Sequence, residues 1–126
     1  MATIELNDQS FRELIGSEGI NIIDFWAEWC GPCRQFGPIF EEASNRHPDI
    51  KFGKVDTEAN QALAGALQIS SIPTLMILRD GIMLYNQPGA LPGAALEDII
   101  GKVRALDMDE IRAEIARSQA EEAQGE

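Results

Sequence analysis

Residues 20–27 form an apolar run that leaves few folds open to this chain. Their sequence, INIIDFWA, is rich in β-branched and aromatic residues, which is typical of a strand covered on both faces. Covering both faces of a strand requires a layer on each side of its sheet, and helices supply those layers in α/β proteins. We therefore predict an α/β fold with a central sheet.

Helical and strand patterns alternate through the rest of the chain. We predict the order β-α-β-α-β-α-β-β-α, in which Arg79-Asp80-Gly81 makes the hairpin turn between the last two strands. This order favours a mixed sheet with helices on both faces. The helix that starts at Pro32 is expected to kink at Pro38 and to end before Pro48.

The length and the net charge of the chain narrow the range of functions that it can have. A chain of 126 residues fits one domain. Its net charge of −11 repels phosphate backbones and anionic lipids, so we expect no nucleic-acid partner and no membrane partner. No apolar run approaches the ~18–20 residues of a membrane span, and residues 1–8 do not resemble a secretory signal. We expect a soluble, cytoplasmic protein.

The chain has two cysteines, Cys30 and Cys33, and one histidine, His47. These are too few ligands for a Cys/His zinc site, so no metal is expected. A lone Cys-x-x-Cys pair in a cytosolic chain favours redox chemistry instead. Three residues apart in a helical turn, the two Cα atoms would lie ~5 Å apart, within the range of a disulfide. We interpret His47 as a solvated helix end without a catalytic role.

The surroundings of the cysteines favour a reactive thiolate. Pro32 suits the first turn of a helix because its missing N–H has no partner there. Cys30 is therefore expected at the exposed N-terminus of that helix, where free N–H groups and the helix dipole favour the thiolate. The alternatives are a pair of inert buried thiols or half of a metal site.

Asp24 is a carboxylate within the apolar run. One interpretation is an edge or solvent-facing position in the strand. The other is burial, which without a cation favours the protonated form and makes the group a proton carrier near neutral pH. Lys54 lies mid-strand, and from its position alone it is an ordinary solvated lysine.

Residues 24–34, with the sequence DFWAEWCGPCR, resemble the active site of the thioredoxin family nearly residue for residue. Four further landmarks follow in the family's order: Lys54-Val55-Asp56, Ile72-Pro73-Thr74, Asp80-Gly81 and Gly89-Ala90-Leu91. The matching landmarks extend through residues 3–106. The resemblance implies the thioredoxin fold, with a central mixed five-stranded sheet flanked by helices on both faces.

The resemblance also implies roles for individual residues. Cys30 is the nucleophile and Cys33 the resolving thiol. Asp24 lies beneath Cys33 as its proton acceptor and donor, and Lys54 modulates the proton affinity of Asp24. The implied substrate-binding residues border the cysteines: Trp29, Gly31, Pro32, Ile72, Pro73, Gly89 and Ala90. In the family, the peptide bond that matches Ile72–Pro73 is cis.

The implied activity is that of a dithiol–disulfide oxidoreductase that reduces protein disulfides through a reversible Cys30–Cys33 disulfide. No bound cofactor is needed, because an NADPH-dependent thioredoxin reductase restores the dithiol. The other partners would be disulfide-containing client proteins, and we expect a monomer. The Gly-Pro pair between the cysteines resembles the reducing members of the fold and not its oxidases or isomerases. The alternative from another class is a binding or holdase subunit with secondary thiol chemistry.

Residues 107–126 differ in composition from the rest of the chain. They carry seven acids and two arginines, a local net charge of −5. A start like a capping box at Asp107 predicts a helix, but its apolar stripe is too narrow for firm docking. We therefore divide the chain into a thioredoxin domain, 1–106, and an acidic C-terminal extension. The extension is expected to be helical to about residue 118 and disordered over 119–126.

Overall fold

The computed structural model describes residues 2–125 and contains one five-stranded sheet. The strands are β1 (Thr3–Glu5), β2 (Ile20–Trp26), β3 (Lys51–Asp56), β4 (Thr74–Arg79) and β5 (Ile82–Pro88). Their order across the sheet is β1-β3-β2-β4-β5. The strands β1, β3 and β2 run parallel, and β4 is antiparallel to both β2 and β5. The predicted mixed five-stranded sheet is confirmed.

The described residues also form five helices. They are α1 (Asp8–Ile15), α2 (Gly31–Arg46), α3 (Gln61–Ala66), α4 (Gly93–Ala105) and α5 (Met108–Gln124). The helices α1 and α3 pack on one face of the sheet, and α2 and α4 pack on the other. Within residues 2–125, no helix has the length and apolar character needed to cross a membrane.

The central strand β2 separates two apolar cores. Ile22 belongs to the core beneath α2 and α4, together with Phe36 and Leu96. Ile23 belongs to the opposite core, together with Phe11 of α1. All residues of β2 except the last are buried. The prediction of a strand covered on both faces is confirmed. Because β2 is buried on both faces, it also fixes the point where the loop that leads to the cysteines leaves the sheet.

The helix α2 follows β2 and carries both cysteines in its first turn. Phe36, Phe40 and Ala43 form its buried stripe, at the spacing of one helix face. The helix continues through Pro38, which lies on the exposed side. Its buried stripe therefore holds the first turn firmly against the end of the sheet.

The prediction that His47, at the end of α2, is solvated is wrong. Its side chain is 17% exposed, and its Nε2 lies 2.8 Å from Glu97 Oε1. On the other side of the ring, Nδ1 lies 3.0 Å from the guanidinium of Arg104, which also forms an ion pair with Asp49. His47 therefore ties the end of α2 to α4. This network lies at the end of α2 opposite to the cysteines.

The helix α5 extends further than predicted, because it continues to Gln124 instead of ending near residue 118. Asp107 caps it by accepting a hydrogen bond from the N–H of Glu110. The ion pair between Arg117 and Glu114 stabilises the helix from within, and alanine and glutamate are good helix formers. Residues 119–124 are thus helical where disorder was expected, and residue 126 lies outside the described residues.

The junction between α4 and α5 is fixed to the hairpin turn of the sheet. A single nitrogen of Arg79, Nη1, donates to the carbonyl oxygens of Val103, Arg104 and Leu106 at 2.9, 3.3 and 3.3 Å. The carbonyl groups of Arg104 and Leu106 are ones that the end of a helix otherwise leaves unpaired, whereas that of Val103 also accepts from the N–H of Leu106. The first turn of α5 adds Met108, which is 6% exposed. From residue 112 to residue 125 every residue is exposed, so α5 is buried against the domain only at its start.

Candidate active site

Cys30 and Cys33 form a disulfide at the N-terminus of α2. Cys30 is the N-cap, and the N–H of Cys33 donates to Cys30 Sγ at 3.2 Å. Their Cα atoms are 5.2 Å apart, which agrees with two residues three apart in a helical turn. Pro32 lies in the first turn, where it costs the helix no hydrogen bond. The free N–H groups and the helix dipole favour negative charge on Cys30 once the disulfide is reduced.

Neither cysteine is openly accessible. Each is 4% exposed, so the expectation that Cys30 is exposed at the helix start is wrong. Cys30 is covered because it packs in a small cluster with Ala27 and Cys33, bordered by Trp26 and Ile72. Its Sγ lies 3.6 Å from the carbonyl oxygen of Ile72. The two cysteines therefore differ in the N–H groups around them and not in exposure.

Asp24 is buried in β2, with 0% of its surface exposed. Within the part of the chain that the structure describes, neither of its carboxylate oxygens has a hydrogen-bond partner. Burial raises the pKa of Asp24 from 3.8 to about 7, and the positive charge of Lys54 opposes this rise. The solvent-facing alternative is therefore wrong. A carboxyl group whose pKa is near 7 can both accept and donate a proton at neutral pH.

Asp24 lies on the face of the sheet that α2 covers. Side chains alternate along a strand, so Asp24 shares the face of Ile22, two residues earlier. Ile22 packs in the same core as Phe36 and Phe40 of α2. Asp24 is closer than Ile22 to the end of β2 that leads into the cysteines. It therefore faces the first turns of α2, the part of the helix that contains Cys33.

Lys54 is the register partner of Asp24 in the neighbouring strand β3. It is half-buried, and its Nζ lies 4.8 Å from the centre of the Trp26 ring. A Cβ at position 37 would lie 3.9 Å from the same nitrogen, so the ammonium group reaches the underside of α2 at Gly37. The lysine thus lies between the sheet and the helix, and it is not the fully solvated residue that its position alone suggested.

Trp29, immediately before Cys30, is 66% exposed and is held by a hydrogen bond. Its Nε1 donates to Glu58 Oε1 at 2.6 Å. Glu58 is itself fixed, because its backbone N–H donates to Asp56 Oδ1 at 2.9 Å. The sequence gives no signal for Glu58, which is one of 21 acidic residues and lies 29 positions from its partner.

A second segment completes the surroundings of the disulfide. The Ile72–Pro73 peptide bond is cis, as the resemblance implies. Ile72 is half-buried against the cysteines and Pro73 is buried. The carbonyl oxygen of Pro73 accepts a hydrogen bond from the N–H of Gly89 at 2.8 Å, which brings the loop that contains Ala90 alongside. Gly89 has φ +114°, a backbone conformation that favours glycine.

The predicted substrate-binding residues therefore border the disulfide on two sides. On one side the chain neighbours of the cysteines, Trp29, Gly31 and Pro32, are exposed. On the other side Ile72 contacts the cysteine cluster directly, and Gly89 is joined to it through Pro73. The disulfide therefore lies between two segments that are partly exposed at the surface.

Residues 2–102 match the family model described as thioredoxin. The chain belongs to the thioredoxin family. Among curated proteins, it is 55% identical over 120 residues to a candidate thioredoxin 2 from Streptomyces coelicolor, covering 95% of this chain and 90% of that one. It is 41% identical to a thioredoxin from Bacillus subtilis over 103 residues, 81% of this chain and 98% of the other.

Solved thioredoxin structures have the same fold. Mitochondrial thioredoxin 3 from Saccharomyces cerevisiae, in its oxidised form, superposes with a TM-score of 0.71 at 32% identity and covers 79% of this chain and 94% of that one. An N21Q mutant thioredoxin from Halobacterium salinarum gives a TM-score of 0.75 at 29% identity, with 83% and 93% covered. The thioredoxin fold predicted from the sequence is confirmed.

Family membership and the Cys30–Cys33 disulfide together establish the activity. The protein is a thiol–disulfide oxidoreductase of the thioredoxin family that reduces protein disulfides through this pair. The alignment with the Streptomyces relative spans 120 of the 126 residues, so it includes at least fourteen of residues 107–126. The alignment with the Bacillus thioredoxin covers nearly all of that shorter protein in 103 residues. The Streptomyces relative thus has a counterpart to most of residues 107–126.

Proposed function

We propose that Cys30 is the attacking thiol of this oxidoreductase and Cys33 the resolving thiol. In the first step the Cys30 thiolate attacks one sulfur of a client disulfide, the client S–S bond breaks, and one client thiolate leaves. In the second step the Cys33 thiolate attacks Cys30 Sγ, and the second client thiolate leaves. The client disulfide is reduced to two thiols, and the protein is oxidised to the Cys30–Cys33 disulfide.

Asp24 accepts the proton of the Cys33 thiol before the second step. Lys54 modulates the proton affinity of Asp24. The pKa of Asp24, about 7, suits this exchange at neutral pH. Lys54 lowers the pKa of Asp24 through its charge and is a positioning residue in this scheme. The observation that carries the proposal is a helix-start disulfide above a buried carboxyl group whose oxygens have no hydrogen-bond partner among residues 2–125.

Clients bind on the two sides of the disulfide. The residues assigned to this surface are Trp29, Gly31, Pro32, Ile72, Pro73, Gly89 and Ala90. Exposure of most of these residues, and the 3.6 Å approach of Ile72 O to Cys30 Sγ, support this assignment. The partners are disulfide-containing proteins and an NADPH-dependent thioredoxin reductase, which restores the dithiol without a cofactor bound to this chain.

In the cell, the protein works as a monomer in the cytoplasm, where it carries electrons and contributes to redox homeostasis. Residues 1–106 are the thioredoxin domain that does this chemistry, and residues 107–126 are an appended acidic extension. The match of residues 2–102 to the family, and the exposure of α5 beyond its first turn, support this division.

The roles of the cysteines are tested by trapping mixed disulfides. The Cys33→Ser variant should accumulate a covalent complex with a disulfide client such as insulin, because the resolving thiol is missing. The Cys30→Ser variant is the matched control and should accumulate none. If both variants formed equal amounts of complex on a non-reducing gel, the assignment of the two cysteines would be contradicted. Insulin reduction by the wild type, with NADPH and with or without a thioredoxin reductase, tests the reductase as a partner.

A further inference from the structure

A polar depression of about 180 Å³ lies beside the Ile72–Pro73 bond. Its polar lining is formed by five residues: Gln68, Ser70, Ser71, Thr74 and Asn86. Thr74 pairs with Pro88 where β4 begins and β5 ends, and Pro73 is bonded to Gly89 just beyond. The depression is therefore at the same end of the sheet as the disulfide.

Most polar groups of this lining are free to bind something else. The hydroxyl of Thr74 is occupied, because it donates to the carbonyl oxygen of Ser71. The side chains of Gln68, Ser70, Ser71 and Asn86 belong to exposed residues and bond to no protein group among residues 2–125. Hydroxyl and carboxamide groups can each donate and accept a hydrogen bond. The lining can therefore form hydrogen bonds with a neutral donor or with a neutral acceptor.

This side of the disulfide is also uncharged. Residues 67–78 and 82–96 contain no Asp, Glu, Lys or Arg, although 25% of the chain is charged. The other side is acidic, because Trp29 is flanked by Glu28 and bonded to Glu58. A charged group placed in this depression would find no counter-charge among the residues that line it. An apolar group there would leave the hydroxyl and carboxamide groups unpaired.

We propose that the depression is a subsite for an uncharged polar side chain, a hydroxyl or a carboxamide, on the client segment that carries the attacked disulfide. The proposal rests on the function proposed above. Cys30 Sγ lies 3.6 Å from Ile72 O, and Ser70 and Ser71 immediately precede Ile72. In an extended client, side chains two residues apart point to the same side and lie ~7 Å apart. The side chain two positions from the attacked cysteine therefore faces this lining.

The test uses short peptides with one disulfide that differ at a single position, two residues before or two residues after the attacked cysteine. At that position each set carries Gln, Leu, Lys or Glu, and kcat/KM is measured for the full chain. In one of the two sets, the Gln peptide should be reduced faster than the Leu peptide by about twofold to tenfold, the contribution of one hydrogen bond. The Lys and Glu peptides should be no better than the Leu peptide.

Substitutions in the lining then test whether the preference for the Gln peptide arises there. Ser70→Ala and Ser71→Ala should each lower kcat/KM for the Gln peptide and leave the Leu peptide unchanged. Ser118→Ala, on the exposed part of α5, is the matched control and should change neither. Because these serines are exposed, none of the three substitutions removes a buried contact, and circular dichroism checks the fold.

The outcomes separate this proposal from the function on which it rests. Equal kcat/KM for all peptides of both sets would overturn the subsite and leave the reductase activity standing. A Gln preference that survives in a variant combining Gln68→Ala, Ser70→Ala, Ser71→Ala and Asn86→Ala would also overturn it, because the preference would then arise outside the depression. If the wild type reduces no peptide and no protein disulfide, the proposed function itself fails.

Discussion

Replacing Asp24 with asparagine should make the oxidised protein more stable, by an amount that depends on pH. In the folded protein the pKa of Asp24 is raised to about 7 by burial, whereas in the unfolded chain it returns to 3.8. Between these values the folded state keeps a proton that the unfolded state has lost, so the stability of the wild type falls as pH rises. Below pH 3.8 both states are protonated, and above pH 7 both are ionised.

The size of the effect follows from the pKa difference. Each unit corresponds to 1.36 kcal/mol, so the interval from 3.8 to about 7 amounts to about 4 kcal/mol. Asparagine has a similar shape and does not ionise, so Asp24→Asn avoids this loss. The variant should match the wild type near pH 4 and exceed its free energy of unfolding by about 4 kcal/mol at pH 8.

Urea unfolding of the two oxidised proteins at pH 4.5, 6, 7 and 8, followed by circular dichroism, measures this difference. At pH 8 it corresponds to a midpoint shift of about 1–4 M urea, since slopes for small proteins are about 1–3 kcal/mol/M. Asp98→Asn, which removes an exposed carboxylate on α4, is the matched control for the loss of one charge. A stability difference between Asp24→Asn and the wild type that is the same at all four pH values would refute the reasoning.

Two further predictions concern Lys54 and the extension. Lys54→Met removes the charge that lowers the pKa of Asp24 in the folded protein, so the fall in stability with pH should continue to a higher pH in this variant than in the wild type. An unchanged profile would show that Lys54 has no influence. Truncation after Leu106 should change the net charge from −11 to −6 and leave insulin reduction intact. It should cost at most about 3 kcal/mol of stability, the burial of Met108. Amide exchange in α5 beyond Ile111 as slow as in β2 would contradict this.

The sequence predicts well what depends on local pattern. The apolar run that contains Ile22 and Ile23 could be assigned to a two-faced strand because it is short and rich in β-branched and aromatic residues. The geometry of Cys30 and Cys33 follows from helical spacing alone. The cis bond before Pro73 could be predicted only from the resemblance, because nothing in local spacing selects it.

Contacts between distant residues were not predictable in this way. Part of the cover over Cys30 comes from Ile72, 42 residues away, and Trp29 is hydrogen-bonded to Glu58, 29 residues away. The helix α5 continues beyond residue 118 although its residues there are exposed, so tertiary burial does not determine where it ends. Ion pairs such as Arg117 with Glu114 also stabilise a helix, and they need no contact with the domain.

The attachment of α5 at the hairpin turn has a practical consequence. Arg112 lies 3.9 Å from Asp80 at that turn, next to Arg79, whose register partner Ile20 begins β2. The disulfide follows the other end of β2, ~20 Å away along seven residues. A dye, a surface or a fused protein joined directly after Leu106, whose carbonyl oxygen accepts from Arg79, would therefore lie at the end of the sheet away from the reacting sulfurs. The chain can be immobilised there as a reusable reducing agent whose reactive end still meets large proteins in solution.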